Sequence, residues 1–383
     1  LENSKHIYFK GLNGLRFFAA LAVIITHIEL IKQQMSCPHL YKKNKLIFEL
    51  GGLGVVFFFV LSGFLITYLL LKEKELLGKI NVKKFYVRRI LRIWPLYFLI
   101  VLLGFFVLPY FHFMELPFFA KFKSHLSVLN LILFLLMLPN LAFAVFKPLP
   151  HIGQTWSIGV EEQFYLIWPW VVEKSKNLIK SLVILIISLF VIKAGVLILL
   201  KLYPNSVTFL TIKNFVAMFK IESMAIGGIG AWMVYKKKYY QTLLSNFILI
   251  FSVLLVIILI YFLPEKLQDG AFILYSVLFL IIILNVSLNP KSVIKLESNA
   301  YVFLGNISYG LYMYHLIVVA GFIGLLKYVG FKVDNSAISQ FVVYTGVIAL
   351  SIFISWLSYR YFEEWFLKLK HKFTVIKSGS FFN

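Results

Sequence analysis

Long apolar stretches with hardly a charge in them recur along the whole chain. They lie at about 12–31, 52–71, 93–112, 178–200, 214–235, 244–263, 270–288, 301–326 and 339–362. As helices, these are long enough to cross a hydrocarbon layer roughly 30 Å thick. Two shorter apolar windows lie at about 126–146 and 157–173. No soluble fold hides this much apolar surface: 61% of the 383 residues are hydrophobic and 14% are charged. An average soluble domain has about 45–50% and about 25%. The runs are unbroken, whereas outer-membrane strands alternate apolar and polar residues. The sequence therefore predicts an all-α, polytopic membrane helical bundle. That apolar content excludes a cytosolic enzyme, a disordered chain and a secreted disulfide scaffold; the one cysteine, Cys37, has no partner for an intramolecular bridge.

The net charge of +22 would point to nucleic acid in a soluble protein. Here it reads as the Lys and Arg excess of short cytoplasmic loops, and no nucleic-acid partner is expected. Basic clusters occur at Lys5, Lys10 and Arg16, from Lys72 to Arg92, at Lys174–Lys180, Lys236–Lys238 and Lys291–Lys295, and from Arg360 to Lys377. Putting all of them inside requires an even number of crossings and gives an inner excess of about two to one. One window must then fail to cross. The window at 126–146 is interrupted by Pro139 and Asn140 and followed by Lys147, Pro148 and Pro150. It is expected to be a re-entrant or interfacial segment on the outer side, its irregular backbone covered by protein. The expected architecture is about ten transmembrane helices, with both termini cytoplasmic. No internal repeat, linker, cleavable signal peptide or extra soluble domain is visible. Residues 1–383 read as one integral-membrane domain with its motif-bearing core at about 11–366.

Ionisable groups inside a membrane are costly and mark function. Arg16 is near the inner end of the first span, and His27 follows eleven residues later, roughly 16 Å further out. His27 reads as a helix–helix hydrogen-bonding group or as a base. Ser62 and Gly63 read as a small-residue packing contact. Arg89 and Arg92, beside Arg88, share a helix face at the inner end of the third span. Two guanidinium forks suit a phosphate; the alternative is a topology signal touching lipid headgroups. The segment HIGQTWSIGVEEQFYLIWPW enters from outside, with Ser157, Glu161 and Tyr165 on one face and Glu162 on the next. Glu161 lies at about the depth of His27. A carboxylate there would hold the imidazole tautomer and raise its basicity; a buried salt bridge or a cation site is the alternative. Ser308, Tyr309, Tyr312 and His315 carry polarity towards the membrane centre, where His315 lines the same cavity or packs. Lys193, Lys220 and Glu222 suggest a structural Lys–Glu pair or, second, an acidic-substrate subsite. No helix carries the His or Glu spacing of a metal site, so neither a metal nor a permanently bound cofactor is expected.

Together these segments resemble the acyltransferase-3 family of bacterial integral-membrane acyltransferases. That family includes O-acetyltransferases of surface polysaccharides and peptidoglycan, and the nodulation-factor acyltransferases. The family's R-x10-H pattern is met by Arg16 and His27, its FFxLSGFLI stretch by Phe58–Ile66 and its arginine pair by Arg89 and Arg92. Its WSLxVEEQFYLxWP signature appears at Trp156–Pro169 with Ile158 in place of Leu. GxISYxLYLxH appears at Gly305–His315 with Met313, and YRxxExPF at Tyr359–Phe366 with Trp365 in place of Pro.

The resemblance implies transfer of an acyl group, usually acetyl from cytoplasmic acetyl-CoA, to a hydroxyl of an extracytoplasmic or lipid-linked glycan. Arg89 and Arg92, with Arg16, would hold the CoA phosphates. His27 would take the hydroxyl proton, Glu161 would orient His27, and Ser157, Tyr165 or His315 would support the oxyanion, with Glu162 nearby. The expected partners are acyl-CoA, the glycan acceptor and membrane lipid. A rival reading is a transporter or flippase of a lipid-linked sugar, which would consume no acyl-CoA.

Overall fold

The computed structural model describes residues 6–117, 126–146 and 149–378; Lys147 and Pro148 lie outside them. The first three helices are α1 (Leu12–Gln34), α2 (Lys45–Leu77) and α3 (Val82–Phe106). Two short helices follow, α4 (Val128–Leu135) and α5 (Pro139–Phe146), then α6 (Thr155–Lys174) and α7 (Leu178–Leu202). The next are α8 (Val207–Met218), α9 (Ile221–Tyr235), α10 (Asn246–Phe262) and α11 (Glu265–Leu288). The chain continues through α12 (Asn299–Asn306), α13 (Ser308–Tyr328) and α14 (Ala337–Ser358), then a π-helical turn at Tyr359–Glu363, and α15 (Glu364–His371). Short polar residues set the starts: Asn44, Asn81, Asn177 and Ser336 each accept a backbone N–H of the first turn. Strands β1 (His6–Ile7) and β2 (Lys377–Ser378) pair in parallel, joining the two ends of the described chain.

Eight helical stretches among the described residues are long and apolar enough to cross a membrane. They are Leu12–Gln34, Lys45–Leu77, Val82–Tyr110, Leu178–Leu202, Val207–Tyr235, Gly270–Leu288, Ser308–Tyr328 and Ala337–His371. The chain is a multi-pass protein of the bacterial inner-membrane type. The expected ten included two more. Helix α10 has only 17 residues, because Ser245 caps its start and Pro264 follows its end. Helix α6 has 20 residues but carries Glu161, Glu162 and Gln163 at its middle, which lowers its hydropathy. Two expected spans are also broken: 214–235 at Phe219 and Lys220, and 301–326 at Ile307.

The segment at 126–146 is two eight-residue helices, each about 12 Å long, so neither spans alone. The chain bends between them at Met137, whose φ is 60°. Helix α5 is clamped to α6. Asn140 and Gln163 exchange amide hydrogen bonds of 3.1 and 2.9 Å, and a Cβ on Gly159 would lie 2.7 Å from Pro139.

Helix α2 is the axis of the bundle, packing against α1, α6, α9 and α11. Its contact with α9 is backbone on backbone. A Cβ on Gly63 would lie 1.9 Å from the Met224 carbonyl oxygen, and one on Gly227 would lie 2.0 Å from that of Val60. Only glycine permits this approach. Helix α7 is peripheral, with Ile184, Ile187, Val191 and Ile198 exposed as on a lipid-facing side.

Candidate active site

Eleven residues make three helical turns and about 20°, so Arg16 and His27 share one face of α1. Between them on that face, Ala20 and Val23 are 0% and 1% exposed. The face therefore looks into the bundle, while Arg16 and His27 themselves keep some accessible surface. Arg16 is braced by Asn13 Oδ1 at 3.0 Å. His27 Nδ1 lies 2.8 Å from the Val23 carbonyl oxygen one turn back. A carbonyl only accepts, so Nδ1 carries the proton and Nε2 presents its lone pair.

His315, on α13, faces His27 with ring centroids 4.8 Å apart. It is fully buried. Its Nδ1 donates to the Tyr312 carbonyl at 2.6 Å, and its Nε2 has no partner. Tyr312 leads on to α6: its hydroxyl is 2.6 Å from Ser157 Oγ and donates to the Gln154 carbonyl at 3.1 Å. One turn further along α6, Glu161 Oε1 accepts from Ser62 Oγ and from the Tyr165 hydroxyl. Ser62 therefore does more than the packing expected of it, while its neighbour Gly63 makes the close approach to α9.

Glu161 does not orient His27, as the sequence had suggested. Equal depth put the two side by side, but α2 packs against both α1 and α6 and its Ser62 takes the carboxylate. The group that fixes the His27 tautomer is the Val23 carbonyl.

One helical stretch away along α1, Arg16, Arg89 and Arg92 lie within electrostatic reach of one another, and Glu161 and Tyr165 also act on Arg16 and Arg89. The Arg89 guanidinium stands 5.9 Å from the ring centroids of both Phe85 and Tyr165. Arg88 is engaged elsewhere, on Glu73 at 2.8 Å and the Phe373 carbonyl at 3.1 Å. The α6 face of Ser157, Glu161 and Tyr165 thus runs from the histidine pair towards the arginines.

The remaining expected residues do other things. Glu162 accepts from Trp94 Nε1 at 2.8 Å through Oε2, with Oε1 buried and unpartnered. Ser308 donates to the Gly305 carbonyl at 2.7 Å, closing the break between α12 and α13. Tyr309 donates to the Ile93 carbonyl at 2.8 Å and ties α13 to α3. Lys193 pairs with Glu222, and Lys220 stands over the Phe272 ring, so this trio links α7, α9 and α11. Among the described residues, no three His, Cys, Asp or Glu side chains converge as metal ligands would.

The sequence reading passed over one buried ion pair. Lys32 and Glu29 are 2.8 Å apart with side chains 0% exposed. Glu29 also accepts from Leu40 N and, at 3.0 Å, from the Tyr344 hydroxyl. The i,i+3 spacing was the available signal.

The acyltransferase-domain model of the acyltransferase-3 family matches residues 9–360, and the chain belongs to that family of membrane proteins. Among its relatives, a "Putative O-acetyltransferase" of Staphylococcus aureus strain COL is 28% identical over 396 residues, covering 94% of this chain and 58% of the relative. The O-acetyltransferase OatA of S. aureus strain NCTC 8325 is 28% identical over 387 residues, covering 93% of this chain and 57% of its own. The chain therefore spans less than two thirds of the length of these relatives. No solved structure matches it.

Proposed function

We propose that the protein transfers an acyl group, in the first instance acetyl, from cytoplasmic acyl-CoA to a hydroxyl of an extracytoplasmic or lipid-linked glycan. His27 is the general base. The observation that carries this reading is the shared inward face of Arg16 and His27, with the imidazole pinned at Nδ1 and bare at Nε2. Arg16, Arg89 and Arg92 bind the CoA phosphates from the inner side. The thioester reaches up the bundle past Tyr165 and Ser62. Nε2 takes the proton of the acceptor hydroxyl as its oxygen attacks the thioester carbonyl, the C–S bond breaks, and the proton passes on to the CoA thiolate. Glu161 acts as a positioning residue, holding Ser62 and Tyr165 and balancing the arginines.

The acetyl group and an oxygen acceptor are further supported by the relatives named O-acetyltransferases, and the glycan by the resemblance that the motifs quoted above carry. The topology we propose has ten crossings, the eight long stretches plus α6 and α10, with both termini cytoplasmic and 126–146 re-entrant from outside. The β1–β2 pairing supports an even number, since it keeps both ends on one side. We take the catalytic region to be a single membrane domain.

The test is acetyl transfer by purified, detergent-solubilised protein supplied with labelled acetyl-CoA. His27→Ala should fold, insert and bind CoA, yet turn over no donor. Wild-type turnover in that variant sinks the assignment of the base. A wild-type protein that consumes no acyl-CoA of any chain length favours the flippase instead.

A further inference from the structure

The last span does not run straight out of the membrane. At Tyr359–Glu363 it opens into a π-helical turn, a feature that re-aims the helix after it and is frequent at functional sites. Helix α15 then lies against α3. The segment beyond is tied down by Arg88, which donates to the Phe373 carbonyl at 3.1 Å while holding Glu73 at 2.8 Å.

Helix α15 treats its two lysines differently. Lys368 points outward, its side chain 71% exposed and paired with Glu364 at 3.1 Å. Lys370 is half-buried and sits in the field of Arg16, Arg88, Arg89 and Arg92. Of these five cations only Arg88 has a carboxylate within ion-pair distance among the described residues. Glu161 and Glu363 act on the group from further off. Gathering like charges away from bulk water is unfavourable unless an anion joins them. Lys370 also lies beyond the stretch matched by the family model, which ends at residue 360.

We propose that Lys370 is a further phosphate-binding residue of the donor site, delivered by α15 to the same phosphate-bearing ligand that Arg16, Arg89 and Arg92 hold. The inference rests on the acyl-CoA reading above and extends it to the C-terminal helix. The chemistry recognised is an anionic phosphate group, which free CoA offers as a monoester and a diphosphate and an anionic lipid headgroup such as phosphatidylglycerol offers as a diester.

The experiment is thermal unfolding and equilibrium binding of the purified full chain, titrated with free CoA and, separately, with phosphatidylglycerol. The variants are Lys370→Gln, Lys370→Arg and, as a control, Lys368→Gln. We expect CoA affinity to fall about tenfold or more in Lys370→Gln, to be largely kept in Lys370→Arg and to be unchanged in Lys368→Gln. Without ligand, the Lys370→Gln midpoint should equal or exceed the wild type, because a repulsive charge is gone; a structural lysine would lower it. The inference is overturned if Lys370→Gln binds CoA within twofold of wild type, or if its ligand-free midpoint drops. It is overturned equally if only phosphatidylglycerol gives a Lys370-dependent shift, which would make the anion a headgroup. Wild-type protein that ignores CoA altogether fails the donor assignment itself, and the two failures are thereby told apart.

Discussion

Replacing Glu161 by Gln separates two mechanisms that share the same residues. In the structure its Oε1 accepts two hydroxyl hydrogen bonds, from Ser62 and Tyr165, and none from His27, whose ring is held by the Val23 carbonyl. Glutamine keeps an acceptor oxygen in place but loses the charge. A hydrogen bond to a charged group contributes about 1.5–3 kcal/mol and a neutral one about 0.5–1.5, so two bonds lose roughly 2–3 kcal/mol together. At about 1.4 kcal/mol per decade, that limits the fall in kcat/KM to roughly 30- to 150-fold, reached only if the two bonds count in full in the transition state. Loss of a carboxylate that orients a catalytic imidazole costs about 10⁴ instead. The assay is steady-state acetyl transfer across pH 5–9 for wild type and Glu161→Gln. We expect the moderate loss with the acid limb of the profile unmoved, since His27 keeps its own orienting group. A loss near 10⁴, or an acid limb displaced by a pH unit, would refute the reasoning and restore a direct histidine–carboxylate partnership.

Other outcomes follow from the same geometry. Gly63→Ala or Gly227→Ala forces α2 and α9 apart and should cost about 1–3 kcal/mol, read as a lower thermal midpoint in detergent with activity falling alongside. Lys32→Met strands the Glu29 carboxylate in the interior and should destabilise by about 3–5 kcal/mol; the double variant Lys32→Met/Glu29→Gln should recover part of that, as an unfolding titration would register. Cys37 is 8% exposed, and burial pushes its thiol up. At neutral pH it stays protonated, so maleimide labelling should be slow in folded protein and speed up sharply in denaturant.

The bundle was legible because its signals are local. Apolar runs specify helices, and the eleven-residue step from Arg16 to His27 or the four-residue steps of Ser157, Glu161 and Tyr165 specify a face. Depth follows from counting. What counting leaves out is rotation about each helix and the identity of the helix between two others. Glu161 was matched to His27 by depth alone, while α2 and its Ser62 stood between them. The breaks at Ile307 and at Phe219–Lys220 leave little mark in the hydropathy, because apolar residues surround them. Lys32 reads as an interfacial lysine at the end of a span until the Tyr344 helix and the Leu40 loop close over its partner Glu29. Lys370 reads as one more cytoplasmic charge until the π-helical turn folds α15 back onto α3.

The pairing of His6–Ile7 with Lys377–Ser378 has a bearing on how the molecule is made. A ribosome feeds α1 into the membrane early, and the strand that clasps its approach is synthesised only after every helix between them. Closing so long a loop is entropically slow relative to local contacts, so the clasp is expected to be among the last contacts to form. Until then Arg16 and Lys370 are not neighbours, and the cationic mouth is incomplete. A nascent or truncated chain can therefore be fully inserted and still be unable to engage a phosphate donor. On the donor reading proposed above, completion of the bundle and competence for the donor would then arrive together.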